Sequence, residues 1–252
     1  MIQTKELAIG YPDKIIASGI DLSLSAGALV SVVGVNGIGK STLLRTLSAL
    51  QPSLSGEVSL RGKPLAAYTA SALAREIALV LTERPPAGNL TVHELVSLGR
   101  HPHTGWIGKL SARDREITAE SLEMTGTSEL AHRRISQLSD GQVQKVMIAR
   151  AMAQDTPVII LDEPATHLDL LHKLSLFRLL RKLVRRGKCI VYSTHDIEAA
   201  IATSDAMVVM GRDGVHFGTP GELTANGVFG RLFPEEEIAF DARAVKFIFK
   251  DL

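Results

Sequence analysis

The feature that most constrains this chain is a glycine-rich loop between a short apolar run and a leucine-rich stretch. The apolar run covers residues 29–33 (LVSVV), and residues 34–41 (GVNGIGKS) follow it directly. This segment fits the pattern G-x-x-x-x-G-K-[ST], in which glycines let the backbone curl so that several N–H groups point at one phosphate. Leucines at helical spacing over residues 40–50 predict a helix, whose positive end adds to the attraction. The sequence therefore predicts a strand, a phosphate-binding loop and a helix in succession.

Two side chains of this loop suit a nucleotide better than a free phosphate. We expect the Lys40 ammonium to reach the β- and γ-phosphates and the Ser41 hydroxyl to bind Mg²⁺. A glycine turn without a ligand is the structural alternative, but the predicted strand before the loop and helix after it favour the binding site. The residues predicted to contact the nucleotide here are Gly34, Val35, Asn36, Gly37, Ile38, Gly39, Lys40, Ser41 and Thr42.

A second motif consists of four apolar residues followed by two carboxylates, Asp162 and Glu163. The apolar residues 158–161 (VIIL) predict a strand, and ligands of open α/β sheets bind beyond the carboxyl ends of strands. We expect Asp162 to bind Mg²⁺, directly or through water, and Glu163 to orient or deprotonate an attacking water. Alone, such an acidic pair is more often an ordinary helix start, and the phosphate loop in the same chain is what favours a metal site.

The rest of the pattern alternates apolar runs with helical stretches, which is typical of an α/β fold with a largely parallel sheet. Further strands are predicted at residues 77–81, 189–192 and 207–210. The stretch from about residue 90 to 155 is predicted to be helical. The first of its helices is expected to begin at a capping box of Thr91 and Glu94 and to stop at Gly99. A second helix is expected to run from Ser111 to near Gly126, and a third to cover residues 142–153.

Composition narrows the class of protein. The chain has 252 residues with 28 Lys+Arg against 27 Asp+Glu, and this balance argues against a chain held mainly by nucleic acid or anionic lipid. The basic face of a predicted helix at residues 170–186 is accordingly read as a solvated face. One cysteine, no apolar run of membrane-spanning length and no secretory signal at the start lead us to expect a soluble cytosolic protein whose membrane role comes through a partner.

A third motif carries a family resemblance. Residues 138–142 (LSDGQ) head a predicted helix and resemble the LSGGQ signature of the ATP-binding cassette family, with Asp140 replacing the first glycine. The other motifs of that family follow in order, and the resemblance runs from about residue 1 to 233. Tyr11 resembles the adenine-stacking aromatic, and Leu168-Asp169 resembles the D-loop. Residues 193–196 (STHD) resemble the switch-histidine segment, and residues 210–220 resemble the segment that follows it.

The resemblance implies a fold and an assembly. The fold is a P-loop NTPase (RecA-like) α/β core with a mostly parallel sheet, a small antiparallel β part and an inserted α-helical subdomain. In a single domain over residues 1–252, residues 1–82 and 156–252 are expected to form the core and residues 83–155 the insertion that carries the signature. Two copies are expected to sandwich two ATP molecules head to tail.

The resemblance also implies roles for individual residues. His195 is expected to contact the γ-phosphate and help place the attacking water. Ser139, Gly141 and Gln142 of one copy are expected to face the γ-phosphate held by the other copy, since a hydroxyl, a close backbone and a helix start suit that anion. Asp169 and Tyr11 are expected to join the nucleotide site.

One position departs from the family pattern. The family has glutamine, which touches Mg²⁺ and relays to the membrane partner, where this chain has Thr82. Threonine is too short to reach as far, so Glu83 substitutes, water fills the gap, or turnover is weakened. The sequence does not choose among these three.

Residues 90–103 (LTVHELVSLGRHPH) resemble the insertion found in ATPases of importers for iron–siderophore complexes, haem and cobalamin. This resemblance implies a peripheral ATPase on the cytoplasmic side of the cell membrane, with permease subunits and, indirectly, an extracytoplasmic substrate-binding protein as partners. Two alternatives stay open: a soluble cassette ATPase of the iron–sulfur assembly type, and a nucleotide-binding regulator with little turnover. The histidines near this segment match no standard metal pattern, and Trp106 is expected to serve loop packing or partner contact.

Overall fold

The computed structural model describes residues 1–83, 89–105, 108–166, 168–233 and 238–250. The strands are β1 (Ile2–Tyr11), β2 (Lys14–Ile20), β3 (Ser23–Leu24), β4 (Leu29–Gly34), β5 (Ser55–Leu60), β6 (Lys63–Pro64), β7 (Ile77–Val80), β8 (Val158–Leu161), β9 (Cys189–Thr194), β10 (Ala206–Gly211), β11 (Gly214–Gly218), β12 (Ile238–Asp241) and β13 (Lys246–Phe249). The helices are α1 (Lys40–Leu47), α2 (Ala70–Leu73), α3 (Val92–Ser97), α4 (Ala112–Met124), α5 (Asp140–Ala153), α6 (Leu170–Arg185), α7 (Ile197–Thr203) and α8 (Pro220–Ala225). Arg84–Gly88, within the predicted loop after β7, and Trp106 lie outside the described residues.

The chain divides into two compact units. The first unit comprises Met1–Ala67 and Cys189–Leu252, and the second comprises Tyr68–Lys188. Together they contain parallel strands, an antiparallel sheet and a helical segment, so the predicted α/β class is confirmed. Within the described residues, no helix is long and apolar enough to cross a membrane.

The first unit contains parallel strands with the phosphate loop at their carboxyl ends. Strand β4 pairs in parallel with β9 on one side and with β10 on the other, and β11 continues antiparallel to β10. All residues of β4 and β9 are buried, as expected for strands covered on both faces. The register sets Val33 opposite Thr194 and Gly34 opposite Met210, so the loop after β4 and the segment after β9 leave the same edge of the sheet.

An antiparallel sheet contributes further strands to this unit. Its order is β2-β1-β5-β6, and β3 pairs with β1. Strands β1 and β2 form a hairpin that closes with Tyr11 opposite Lys14. The helix after the phosphate loop ends at Leu47 rather than at residue 50, because Ala49 takes a left-handed φ of 57° and the Leu50 N–H turns back to the Arg45 carbonyl at 2.9 Å.

The last residues form a structure that no sequence motif predicted. Strands β12 and β13 make an antiparallel hairpin whose Phe240 and Phe247 rings lie 5.1 Å apart between centroids. Phe240 lies at the same distance from Phe229, and these rings pack on a buried cluster that also contains Val33 of β4. The Phe247 N–H donates to the Glu198 carboxylate on α7 at 2.9 Å. The hairpin thus covers the apolar side of α7.

The second unit places β7 and β8 in parallel, with Val80 opposite Leu161. Helices α3, α4 and α5 pack on one another beside them. The capping boxes predicted at Thr91 and Ser111 are present, because each hydroxyl accepts a backbone N–H that the helix itself cannot satisfy.

The predicted short helix does stop next to Gly99, since α3 ends at Ser97 with Leu98 as its C-cap. After α3 the backbone continues as a 3₁₀ helix over Leu98–His103, with Gly99 inside it. A Cβ at this position would lie 2.3 Å from the Arg150 carbonyl oxygen on α5. Glycine is required here because two backbones approach closely, and not because the helix ends.

Candidate functional site

The phosphate loop requires its glycines for two reasons. Gly34 has a φ of 154°, and a Cβ there would meet the Met210 carbonyl oxygen at 2.4 Å. Gly39 has a φ of 110°, and a Cβ there would meet Ile16 Cγ2 at 2.3 Å. An L side chain at Gly39 therefore costs both backbone strain and a clash. Ile16 belongs to β2, so the hairpin that carries Tyr11 also contacts the loop.

The N-terminus of α1 has no side-chain cap. Gly39 occupies the N-cap position and supplies no side-chain acceptor. Among the described residues, every other α-helix has a side-chain acceptor at its N-cap. Because the first N–H groups of a helix need acceptors from outside, α1 presents donors and a positive dipole end to an anion.

The Lys40 ammonium lies over the same loop. It donates to the carbonyls of Gly34 at 3.0 Å and Val35 at 3.3 Å, and the residue is only 6% exposed. Ser41 is half-buried and Thr42 is buried, while Asn36 and Gly37 are exposed. The donor set of this loop fits a polyphosphate. It consists of a buried positive charge, the backbone of the glycine-rich loop and a helix start without a side-chain cap.

His195 and Tyr11 also belong to the first unit. His195 follows β9 directly and is exposed. Its neighbour Asp196 begins α7, accepting the Ala199 N–H at 3.1 Å, and the Asp196 N–H donates to Thr194 Oγ1 at 3.0 Å. Tyr11 ends β1 and is 50% exposed. The structure therefore brings the loop and His195 to one sheet edge and leaves an aromatic face available on the neighbouring hairpin.

In the second unit, the two carboxylates follow β8 as the sequence predicts. Asp162 is buried, and its N–H donates to the Val80 carbonyl at 2.8 Å. Glu163 is half-buried and has a φ of 49°, the left-handed region that non-glycine residues rarely adopt. Such backbone strain persists where the surroundings hold it, and it is frequent at functional sites. A buried carboxylate at the end of a strand is an oxygen ligand of the kind that suits Mg²⁺.

Two threonines contact this turn, and neither contact was predicted from the sequence. Thr82 Oγ1 donates to the Asp162 carbonyl at 3.1 Å. Thr166 Oγ1 donates to Glu163 Oε2 at 3.0 Å. The position of Thr166 three residues after Glu163 is a local signal that could have found the second contact. The first joins residues far apart in the chain and has no such signal.

The signature segment forms the start of α5. The Ser139 hydroxyl accepts the Gln142 N–H at 3.4 Å, and Gln142 Oε1 accepts the Ser139 N–H at 3.1 Å. These two bonds form a capping box that fixes the start of the helix. Gly141 lies in the first turn, so the backbone there is open to close approach.

A surface cleft of about 630 Å³ lies beside this helix start. It is lined by Gly126, Glu129, Leu130, Ser139, Asp140, Gly141, Gln142, Lys145, Leu168, Asp169 and His172. Asp169 caps α6, and the His172 N–H bonded to its carboxylate holds the pKa of Asp169 below its ordinary value. The second unit thus brings the signature and Asp169 to one cleft.

Comparisons with known proteins agree with these motifs. The model of the ABC transporter family matches residues 17–166. The iron(3+)-hydroxamate import ATP-binding protein of Bacillus subtilis (strain 168) is 39% identical over 97% of this chain and 92% of its own length. The achromobactin transport ATP-binding protein of Dickeya dadantii (strain 3937) is 40% identical over 92% of this chain and 87% of its own. A solved dimeric ATP-binding cassette in a post-hydrolysis state with ADP and Pi matches with a TM-score of 0.77 and 28% identity, over 87% of this chain and 99% of that one.

Proposed function

Because this chain belongs to the ABC transporter family, we propose that it is the ATP-hydrolysing subunit of an importer for iron–siderophore complexes, haem or cobalamin. The observation that carries the ATPase part is the phosphate loop, with its buried Lys40 ammonium and uncapped helix start. The relatives whose names describe iron–chelate transport support the cargo class. These names favour the importer over a soluble ATPase of the iron–sulfur assembly type.

The chemistry follows from the donor set. Lys40 and the loop N–H groups would hold the β- and γ-phosphates, and the oxygens of Ser41 and Asp162 would hold Mg²⁺. When bound, Mg²⁺ neutralises phosphate charge. Glu163 orients the attacking water and accepts its proton, while His195 contacts the γ-phosphate. Water oxygen joins the γ-phosphorus, the bond to the β–γ bridging oxygen breaks, and ADP and phosphate leave.

The proposed site is completed by a second copy of the chain. Ser139, Gly141 and Gln142 of that copy face the γ-phosphate, as an N-terminal helix turn suits an anion. Tyr11 stacks on adenine, and Asp169 contributes from the D-loop. The proposal keeps residues 83–155 as the helical insertion between core segments 1–82 and 156–252, all in one domain.

The remaining partners are proposed from the family. The dimer binds permease subunits at the cytoplasmic side of the cell membrane, and an extracytoplasmic protein delivers the chelate to them. The test is to purify the tagged full-length chain from its native membrane fraction and identify what copurifies. An integral membrane protein supports the importer, whereas a complex of soluble proteins alone supports iron–sulfur assembly and contradicts it.

Turnover of the purified complex tests the chemistry. Glu163→Gln is expected to lower ATP hydrolysis at least about a hundredfold while ATP binding persists, because a general base is lost and the phosphate contacts are kept. Lys40→Ala is expected to weaken ATP binding itself. Unchanged turnover in Glu163→Gln would favour the regulator with little turnover. The control is Thr104→Val, which removes a hydroxyl that donates to the His101 carbonyl within its own turn.

A further inference from the structure

The turn that carries Glu163 has a strained backbone conformation, and two threonine hydroxyl groups donate hydrogen bonds to it. Glu163 has a φ of 49°, and for a residue with a Cβ this conformation is unfavourable unless neighbouring bonds impose it. The Thr82 hydroxyl binds the Asp162 carbonyl, and the Thr166 hydroxyl binds Glu163 Oε2. One bond acts on the backbone before the carboxylate, and the other acts on the carboxylate itself.

The bond from Thr82 controls the orientation of one peptide plane. The Asp162 carbonyl belongs to the peptide group that links Asp162 to Glu163, so fixing its direction restricts the φ of Glu163. The Asp162 N–H is fixed as well, by the Val80 carbonyl at 2.8 Å. Since Thr82 follows β7 and Asp162 follows β8, the hydroxyl also joins the ends of two parallel strands.

The bond from Thr166 controls the side chain. The Thr166 N–H donates to the Glu163 carbonyl at 3.2 Å, closing a turn that places the Thr166 hydroxyl 3.0 Å from the carboxylate. A carboxylate that accepts a bond from a fixed hydroxyl loses rotational freedom around its terminal torsion.

We infer that Thr82 and Thr166 are positioning residues for hydrolysis: Thr82 sets the backbone of Glu163, and Thr166 orients its carboxylate toward the attacking water. This inference rests on the proposed role of Glu163. It gives the departure at residue 82 a function, because the threonine acts through the Asp162 carbonyl and has no need to reach a metal. The rate of the chemical step depends strongly on the position of the general base. Loss of either bond should therefore slow that step while leaving ATP binding intact.

The test measures kcat and KM for ATP separately in the full-length chain within its purified complex. Thr82→Val keeps the shape and removes the hydroxyl, and it is expected to lower kcat about fivefold to tenfold with KM changed less than about twofold. Thr82→Ser restores the hydroxyl and is expected to recover kcat to within about twofold. Thr166→Val is expected to follow the same pattern as Thr82→Val. Thr104→Val, which loses a hydroxyl-to-carbonyl bond of 3.0 Å elsewhere in the second unit, is expected to leave both constants unchanged.

Several results would overturn the inference. Wild-type kcat in Thr82→Val would do so, as would a Thr82→Ser variant as slow as Thr82→Val, or an equal loss in Thr104→Val. If Thr82→Val lowers the thermal midpoint enough to prevent assembly, Thr166→Val and Thr82→Ser carry the same comparison. Glu163→Gln is assayed in parallel: if it retains turnover, the proposed function fails, and if it alone loses turnover, only the inference fails.

Discussion

The second unit contains a buried ion pair whose two members are predicted to respond unequally to mutation. Arg100 Nε lies 2.9 Å from Asp114 Oδ1, with the side chains only 6% and 9% exposed. Arg100 also donates to the Ala153 carbonyl at 2.7 Å. Asp114 accepts from the hydroxyl of Ser111 at 2.6 Å and from its N–H at 2.9 Å. The carboxylate therefore has three donors, whereas the guanidinium has one counter-charge.

This asymmetry gives the magnitudes. Asp114→Asn leaves the Arg100 guanidinium buried without a counter-charge and should lower the free energy of unfolding by about 3–5 kcal/mol. Arg100→Met removes the charge but fills the space, and the bonds from Ser111 still stabilise the carboxylate. That variant should lose only about 1–3 kcal/mol. Urea denaturation of the full chain at pH 7, monitored by circular dichroism, measures both losses of unfolding free energy, with the m-value expected to stay constant.

The pH dependence of the same pair gives an independent check. The hydroxyl and N–H of Ser111, together with Arg100, lower the pKa of Asp114 from 3.8 to about 2. Because the folded pKa lies below the unfolded one, this stabilisation is complete above about pH 5 and disappears as the pH falls toward 2. The difference corresponds to about 2 kcal/mol in the wild-type chain. Asp114→Asn should lack this component of acid sensitivity. An Arg100→Met variant less stable than Asp114→Asn, or unchanged acid sensitivity in Asp114→Asn, would refute the reasoning.

Two further predictions concern the backbone. Val245 has a φ of 53° in the turn between β12 and β13. Val245→Gly should therefore raise the free energy of unfolding by about 0.5–1 kcal/mol, whereas Ala244→Gly should lower it. Equal effects of the two substitutions in urea titrations would contradict this prediction. Gly99→Ala brings a Cβ 2.3 Å from the Arg150 carbonyl oxygen and should cost about 1–3 kcal/mol. Gly105→Ala, where nothing lies within 4 Å, should have little effect on the same thermal-unfolding measurement.

The sequence predicted those elements whose signals are local. The strand before the phosphate loop, the strand before Asp162 and the helix starts at Thr91 and Ser111 lie where expected. In each case the signal and the structure it describes fall within a few residues, as in a capping box or an apolar run ended by glycine. The motifs of the candidate site were found for the same reason.

Features that depend on distant residues were missed. The short helix does end next to Gly99 as predicted, but the Arg150 backbone on another helix, which is what requires glycine at this position, was not predicted. The bond of Thr82 to the Asp162 carbonyl depends on the parallel register of two strands separated in sequence. The amino-acid sequence alone does not show which distant residues become neighbours, so neither contact could be predicted from it.

The C-terminal hairpin has a consequence for the far end of the unit. Its aromatic rings belong to the same apolar cluster as Val33, the residue immediately before the first loop glycine. Proteolytic removal of the hairpin would therefore expose the apolar cluster beneath it, which includes Phe229 and the last residue before the phosphate loop.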